Sequence, residues 1–444
     1  MPPLPVEILG YILELIASRR PRKYNWADIG LYSKEEREGK DALLVCSTLS
    51  RSWRTLVLPY LFHTVAMYFD PRLECSAGFP PSRLYRSLRD FLAFMDSAPV
   101  IRHIVQELRL AFGCQNALAK PKGSLACDTV SLVKILHRLP RLRVLELQDV
   151  SLNCAEVSAL ADIGPPLSLD RLYYGMRPGT GSDAHCDELF PLLHAFSEVR
   201  ELHLDGFNLV QRGETPPPPY LKVKDLTLLS LGGIENLVPM LLSTPTVLCG
   251  SMHRLALCYI EHEDLNPLRG LLGAVAPHLS CLGLCLSKVI NNQKYSGREH
   301  ALFVISEGSR NYILADSLDL LSDLARCESL ERITFEVALV PLRSPINDRA
   351  CAALAHIFSL VRDCPIRRII LRLRVYGESR ALAKMSSAVI PTREVEAILL
   401  QISSLKDLTV LLLPRPSDAD NAYLFETAIV SLFPTMAQKK MLRR

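Results

Sequence analysis

Apolar positions recur along this chain with two different periods. Between Val6 and Ile16 they fall at Ile8, Leu9, Ile12, Leu13, Leu15 and Ile16, the i, i+3/i+4, i+7/i+8 spacing of a helix. Pro5 suits the first-turn position of that helix. The stretch 18–41 is polar and charged, shows little periodicity and reads as a loop. A second helical run follows through Ala42, Leu43, Leu44, Val45, Cys46 and Leu49. A third covers Leu56–Leu61, where Pro59 is expected to break it because proline has no N–H to donate. Phe62-His63-Thr64-Val65 reads as extended.

From about residue 100 the period changes. The template L-x-x-L-x-L, with any large apolar residue at L, recurs ten times. The copies are Val105/Leu108/Leu110, Leu142/Leu145/Leu147, Leu169/Leu172/Tyr174, Val199/Leu202/Leu204 and Val223/Leu226/Leu228. They continue as Met252/Leu255/Leu257, Leu279/Leu282/Leu284, Leu330/Ile333/Phe335, Ile366/Ile369/Leu371 and Leu405/Leu408/Val410. The middle anchors are 37, 27, 30, 24, 29, 27, 51, 36 and 39 residues apart, so most intervals sit near a leucine-rich repeat. The long gap has room for a further copy near 302–305. Helical runs fill the intervals: 129–139, 188–196, 235–242, 265–275, 314–325, 349–361 and 395–402. Pro216–Pro219 reads as a surface loop in polyproline form, and 423–441 as a helical cap.

Composition narrows the class. The chain has 444 residues, 49% hydrophobic and 22% charged, which excludes bulk disorder and allows more than one unit. The net charge of +4 is weak and dispersed, so no nucleic-acid partner is expected. Met1 runs straight into Pro2, Pro3 and Leu4, and the longest apolar stretch, 271–286, contains Pro277 and His278. Neither a signal peptide nor a membrane span is expected, and the reading is a soluble protein of the cytoplasm, the nucleus or both. Thirteen cysteines are scattered with no Cys-x-x-Cys. Cys258, Cys281, Cys285 and Cys364 lie in apolar runs and read as reduced, small hydrophobes.

The first sixty-five residues resemble an F-box. The resemblance is carried by Leu4-Pro5-Val6-Glu7-Ile8-Leu9 with Ile12 and Leu13, by Leu44-Val45-Cys46, by Ser50-Arg51-Ser52-Trp53-Arg54 with Leu56, and by Pro59-Tyr60-Leu61-Phe62. These follow the family's order: an LPxEI start, an apolar helix, a VSRxWR-like segment and a closing P-x-L-aromatic. The spacer over 18–41 is longer than the family carries there. The resemblance implies a three-helix domain that docks on the Skp-type adaptor of a cullin–RING ubiquitin ligase. Leu4, Pro5, Ile8, Ile12, Val45, Trp53 and Leu56 would form the docking face. An F-box joined to an irregular leucine-rich tail is similar to the substrate receptors of that ligase class, especially the divergent fungal-type ones. It implies a tail that captures a target protein.

The expected fold is therefore α/β: a small all-α three-helix F-box module over 1–65 with a long insertion at 18–41, a connector over 66–99, and an irregular leucine-rich-repeat-like solenoid over 100–444. Residues flanking the strand anchors would meet the target, among them Glu146, Tyr173, Glu201, His203, Asp205, Arg332 and Arg372. Enzyme signatures fail. Glu261-His262-Glu263 lacks the second histidine of a zinc-protease helix, and Gly179-x-Gly181 lacks the third glycine of a dinucleotide site. Asp183-x-His185-x-Asp187 reads as a solvated helix start rather than a metal site. No catalytic residue, metal or cofactor is expected. The reading is a substrate-recognition adaptor, with a non-catalytic interaction scaffold as the alternative.

Overall fold

The computed structural model describes residues 6–17, 34–69, 88–112, 126–153, 159–160, 162–176, 186–206, 220–229, 234–244, 250–258, 265–285, 321–339, 345–375, 390–413 and 419–443. The chain opens with α1 (Val6–Ala17), α2 (Lys34–Leu49) and α3 (Arg51–Leu61). Strand β1 (Thr64–Phe69), helices α4 (Leu88–Ser97) and α5 (Pro99–Arg102) and strand β2 (Glu107–Phe112) come next. There follow β3 (Ala126–Asp128), α6 (Thr129–His137), β4 (Val144–Gln148), β5 (Ser151–Asn153), β6 (Leu167–Gly175), α7 (Cys186–His194) and β7 (Phe196–Asp205). The second half runs β8 (Lys222–Leu229), α8 (Ile234–Ser243), β9 (Arg254–Cys258), α9 (Leu265–Val275), β10 (Cys281–Cys285), β11 (Arg332–Leu339) and α10 (Pro345–Leu360). It ends with β12 (Arg368–Val375), α11 (Thr392–Leu399), β13 (Asp407–Leu413), α12 (Ala419–Leu432), α13 (Pro434–Gln438) and β14 (Leu442–Arg443).

Twelve of these strands form one sheet in the order β1-β2-β4-β6-β7-β8-β9-β10-β11-β12-β13-β14, parallel from β1 to β6 and from β8 to β14. This overturns the expected division into a small all-α module followed by a solenoid. The architecture is a single α/β arrangement around a twelve-stranded parallel sheet, and β1, which follows α3 directly, is one of that sheet's strands. The physical reason is in Phe62/Val65/Met67, which repeats the apolar-x-x-apolar-x-apolar spacing of the later strands. Val65 and Met67 are buried, and Val65 pairs in register with Leu108. The chain divides into two compact units, one of Met1–His203 with Gln211–Leu221 and one of Leu204–Val210 with Lys222–Arg444. Helices α1–α3 belong to the first together with β1.

Within the first unit the middle anchors of successive copies are register partners: Val65 with Leu108, Leu108 with Leu145, Leu145 with Leu172. The second unit repeats this from Leu226 to Leu255, Leu282, Ile333, Ile369 and Leu408. Every one of these side chains is buried, which is what fixes register, since a one-residue slip would expose the whole row. A backbone device repeats beside it. Before several strands one carbonyl accepts two N–H groups from the next: His63 from Gln106 and Glu107, Gln106 from Arg143 and Val144. In the second unit Ser280 receives Glu331 and Arg332, and Glu331 receives Arg367 and Arg368.

Helices supply the other wall of the core. Asp128 caps α6, accepting from the N–H groups of Val130 at 3.2 Å and Ser131 at 3.0 Å. Phe358 of α10 meets Phe335 of β11 edge to face at 5.2 Å between centroids. Tyr174, an anchor with a hydroxyl, is fully buried and donates to the Val150 carbonyl at 2.9 Å. The helical expectations over 129–139, 188–196, 235–242, 265–275, 349–361 and 395–402 correspond to α6 to α11. Two local expectations change. Helix α3 continues through Pro59 to Leu61, because the lost bond lies one turn from its end. Helix α2 starts at Lys34, inside the stretch read as loop. The possible copy near 302–305, the proline run at 216–219 and residues 183 and 185 lie outside the described residues.

A candidate docking surface

Helices α1–α3 enclose a small core of Leu13, Leu43 and Val57, with Ile16, Cys46, Trp53, Leu56, Tyr60 and Leu61 packed against it. Gly39 lets α2 approach α1: a Cβ there would sit 3.0 Å from the Ile16 carbonyl oxygen. Ser50 caps α3 by accepting from the Trp53 N–H at 3.2 Å. Lys40 donates to the carbonyls of Leu61 at 3.3 Å and Thr64 at 2.7 Å, tying α2 to the start of β1.

Helix α1 is apolar on two faces. Leu13 and Ile16 face the small core, and Leu9 is half-buried. Ile8, Tyr11, Ile12 and Leu15, spaced i, i+3, i+4, i+7, form a second stripe that is exposed. On α2, Leu44, Val45 and Leu49 are exposed as well, Val45 at 63% and Leu49 at 62%. Among the described residues, ten large apolar side chains are exposed, and seven belong to these two helices. Single exposed apolar residues are ordinary, whereas such a concentration on two helices is not.

The residues expected to dock an adaptor thus separate into three groups. Ile8, Ile12 and Val45 are exposed and available. Trp53 and Leu56 are turned toward the small core and only partly accessible. Leu4 and Pro5 lie outside the described residues. Sequence reasoning missed Tyr11, Leu15, Leu44 and Leu49. The second i, i+3, i+4, i+7 stripe on α1 was the signal, but a helix apolar on two faces does not declare which face is outward.

The residues expected to meet a target sit on the polar side of the sheet. In the first unit Arg109 is buried between two carboxylates, Glu107 at 3.2 Å and Glu146 at 3.3 Å. The Thr64 hydroxyl also donates to Glu107 at 2.7 Å. Glu146 is therefore spent on strand pairing. Glu201 takes the Arg171 guanidinium at 2.8 Å and has His203 Nε2 at 3.8 Å. His203 and Arg171 hold the Glu201 carboxyl down at about 2, against partial burial that acts the other way. Asp205 is half-buried at the end of β7. Tyr173 is a correction: it is buried, because its ring lies back over Gly175, where a Cβ would come within 2.0 Å of the tyrosine oxygen.

In the second unit Arg332 is exposed and Arg372 half-exposed, both on the polar side of the sheet. Arg368 reaches Asp407 at 3.6 Å, and Arg443 of β14 reaches the same carboxylate at 2.8 Å. The described cysteines carry no visible chemistry. Burial pushes the thiols of Cys127, Cys327 and Cys351 up to about 12, far from the reactive thiolate form. Among the described residues no cluster of His, Cys, Asp or Glu is placed to hold a metal ion, and no helix is long and apolar enough to cross a membrane. The chain matches no family model and no curated protein.

Proposed function

We propose that the chain is a non-catalytic substrate-recognition adaptor: the exposed stripes of α1 and α2 dock on the Skp-type adaptor of a cullin–RING ubiquitin ligase, and the polar side of the sheet holds the target. The observation that carries this reading is the exposed apolar concentration on α1 and α2, which coincides with the segment that resembles an F-box. Each of Ile8, Ile12 and Val45 would lose its water on docking, worth about 1.5–3 kcal/mol per side chain. The ligase supplies the catalysis; this chain contributes proximity, raising the target's effective concentration at the conjugating enzyme.

The test is co-purification of the full chain with a Skp-type adaptor beside the Ile12→Lys/Val45→Glu variant and the Leu4→Ala/Pro5→Ala variant. A stable complex that Ile12→Lys/Val45→Glu abolishes, with unchanged thermal unfolding, supports docking through this face. Absence of a complex with the wild-type chain overturns it. A complex that fails to recruit a cullin would make the protein an interaction scaffold that does not direct ubiquitination.

A further inference from the structure

Three arginines stand in register on the polar side of the second unit's sheet. Arg254 of β9 pairs with Cys281 of β10, Cys281 with Arg332 of β11, and Arg332 with Arg368 of β12. Strands lie about 4.8 Å apart, so the three guanidinium groups line a short track across the sheet. Arg372 stands on the same side of β12, four residues further along. Arg254 and Arg332 are exposed, and Arg254, Arg332 and Arg372 make no ion pair among the described residues. The acids on this side are Asp205, Asp225, Glu336 and Asp407; Asp225 is the register partner of Arg254, and Asp407 is already engaged by Arg368 and Arg443.

The floor between the arginines is low. Ala256 and Gly283 are the register partners in the next row, and a Cβ on Gly283 would sit 3.1 Å from the Ala256 Cβ. The same side carries Thr227, Thr334, Ile370 and Thr409 and, among the described residues of these rows, no aromatic ring. Single-stranded nucleic acid depends on aromatic platforms for its bases, so a polynucleotide is a poor occupant. A peptide is a good one, because each guanidinium offers a planar fork that takes a carboxylate or phosphoryl group in two hydrogen bonds.

We propose that this arginine track binds an acidic segment of a partner protein, its anionic groups being carboxylates or phosphoryl groups held close together. The inference rests on the reading of the sheet as the target-holding surface. It is tested on the full chain by fluorescence anisotropy at low salt with four labelled probes: a glutamate-rich peptide, its glutamine counterpart, its phosphoserine counterpart and a single-stranded thymidine oligonucleotide. The glutamate peptide, the phosphoserine peptide or both bind about tenfold tighter than the glutamine peptide, and salt weakens them. Which of the two binds identifies the source of the anion. Arg254→Glu/Arg332→Glu loses about tenfold, and the milder Arg254→Gln/Arg332→Gln loses less, both keeping wild-type thermal unfolding since neither side chain is packed.

Equal binding of the acidic and glutamine peptides, equal binding by wild type and the charge-reversed variant, or an oligonucleotide bound as tightly as the peptides would each overturn the proposal. The Ile12→Lys/Val45→Glu variant separates this from the adaptor reading: it keeps peptide binding while losing the Skp-type adaptor. Loss of peptide binding with adaptor binding intact would remove the arginine track alone.

Discussion

Arg109 is a buried charge in the first unit's sheet. It brings a full charge into a buried position and balances it with Glu107 and Glu146, at 3.2 and 3.3 Å. A buried pair contributes little net stability, but breaking one strands its partners. Arg109→Met should therefore cost about 3 kcal/mol in chemical unfolding, whereas Arg171→Met, whose side chain is 43% exposed, should cost under about 1 kcal/mol. Glu201 yields a pH test. Its folded value near 2 is depressed from 4.5, so its stabilisation is complete above the ordinary value and is lost as pH falls toward the folded one. After solvent screening it is worth about 1 kcal/mol. Urea midpoints of wild type and Glu201→Gln should differ near neutral pH and converge as the pH approaches the folded value. A gap that persists there would mean the carboxylate is not what stabilises.

At the scale of elements, α1 shows what the sequence made legible and what it did not. Its helical period and extent were readable from Ile8 to Ile16, but the orientation was not, because both stripes are apolar. Leu13 and Ile12 are neighbours in the chain with opposite fates. Leu13→Ala should cost about 2–4 kcal/mol through a cavity, while Ile12→Ala should stay within about 0.5 kcal/mol. Thermal unfolding of the two variants decides it, and equal losses would mean the stripes are assigned the wrong way round. The start of α2 was hidden for another reason. Lys34–Asp41 is a run of charged helix formers with no apolar period, and Gly39, which usually argues against a helix, is there for close approach to α1. The strands were the most legible feature: all ten anchored copies contain a strand, since a buried row must alternate. On their outward side, polarity alone did not separate Arg332, which is exposed, from Tyr173, which folds back onto a glycine.

At the scale of the whole molecule, β1 decides where the chain can be cut. The sequence favours a boundary at residue 65, because the last helical signal ends just before it and the ten anchored copies begin at Val105. The sheet puts that boundary inside β1. A chain beginning at residue 66 loses the His63 carbonyl, which accepts from Gln106 and Glu107, and the Thr64 hydroxyl, which donates to Glu107 at 2.7 Å. It also loses Val65, the buried register partner of Leu108. A chain beginning at residue 62 keeps all three and removes only the helices, whose own core of Leu13, Leu43 and Val57 leaves with them. Three lost backbone or hydroxyl bonds at about 1 kcal/mol each, and one lost valine contact, should lower the melting temperature of the shorter chain by about 5–10 °C relative to the longer one. Both should still unfold cooperatively. The comparison isolates four residues, so equal melting temperatures would mean that β1 adds nothing to the sheet it borders. In that case the helices and the later strands would be independent after all.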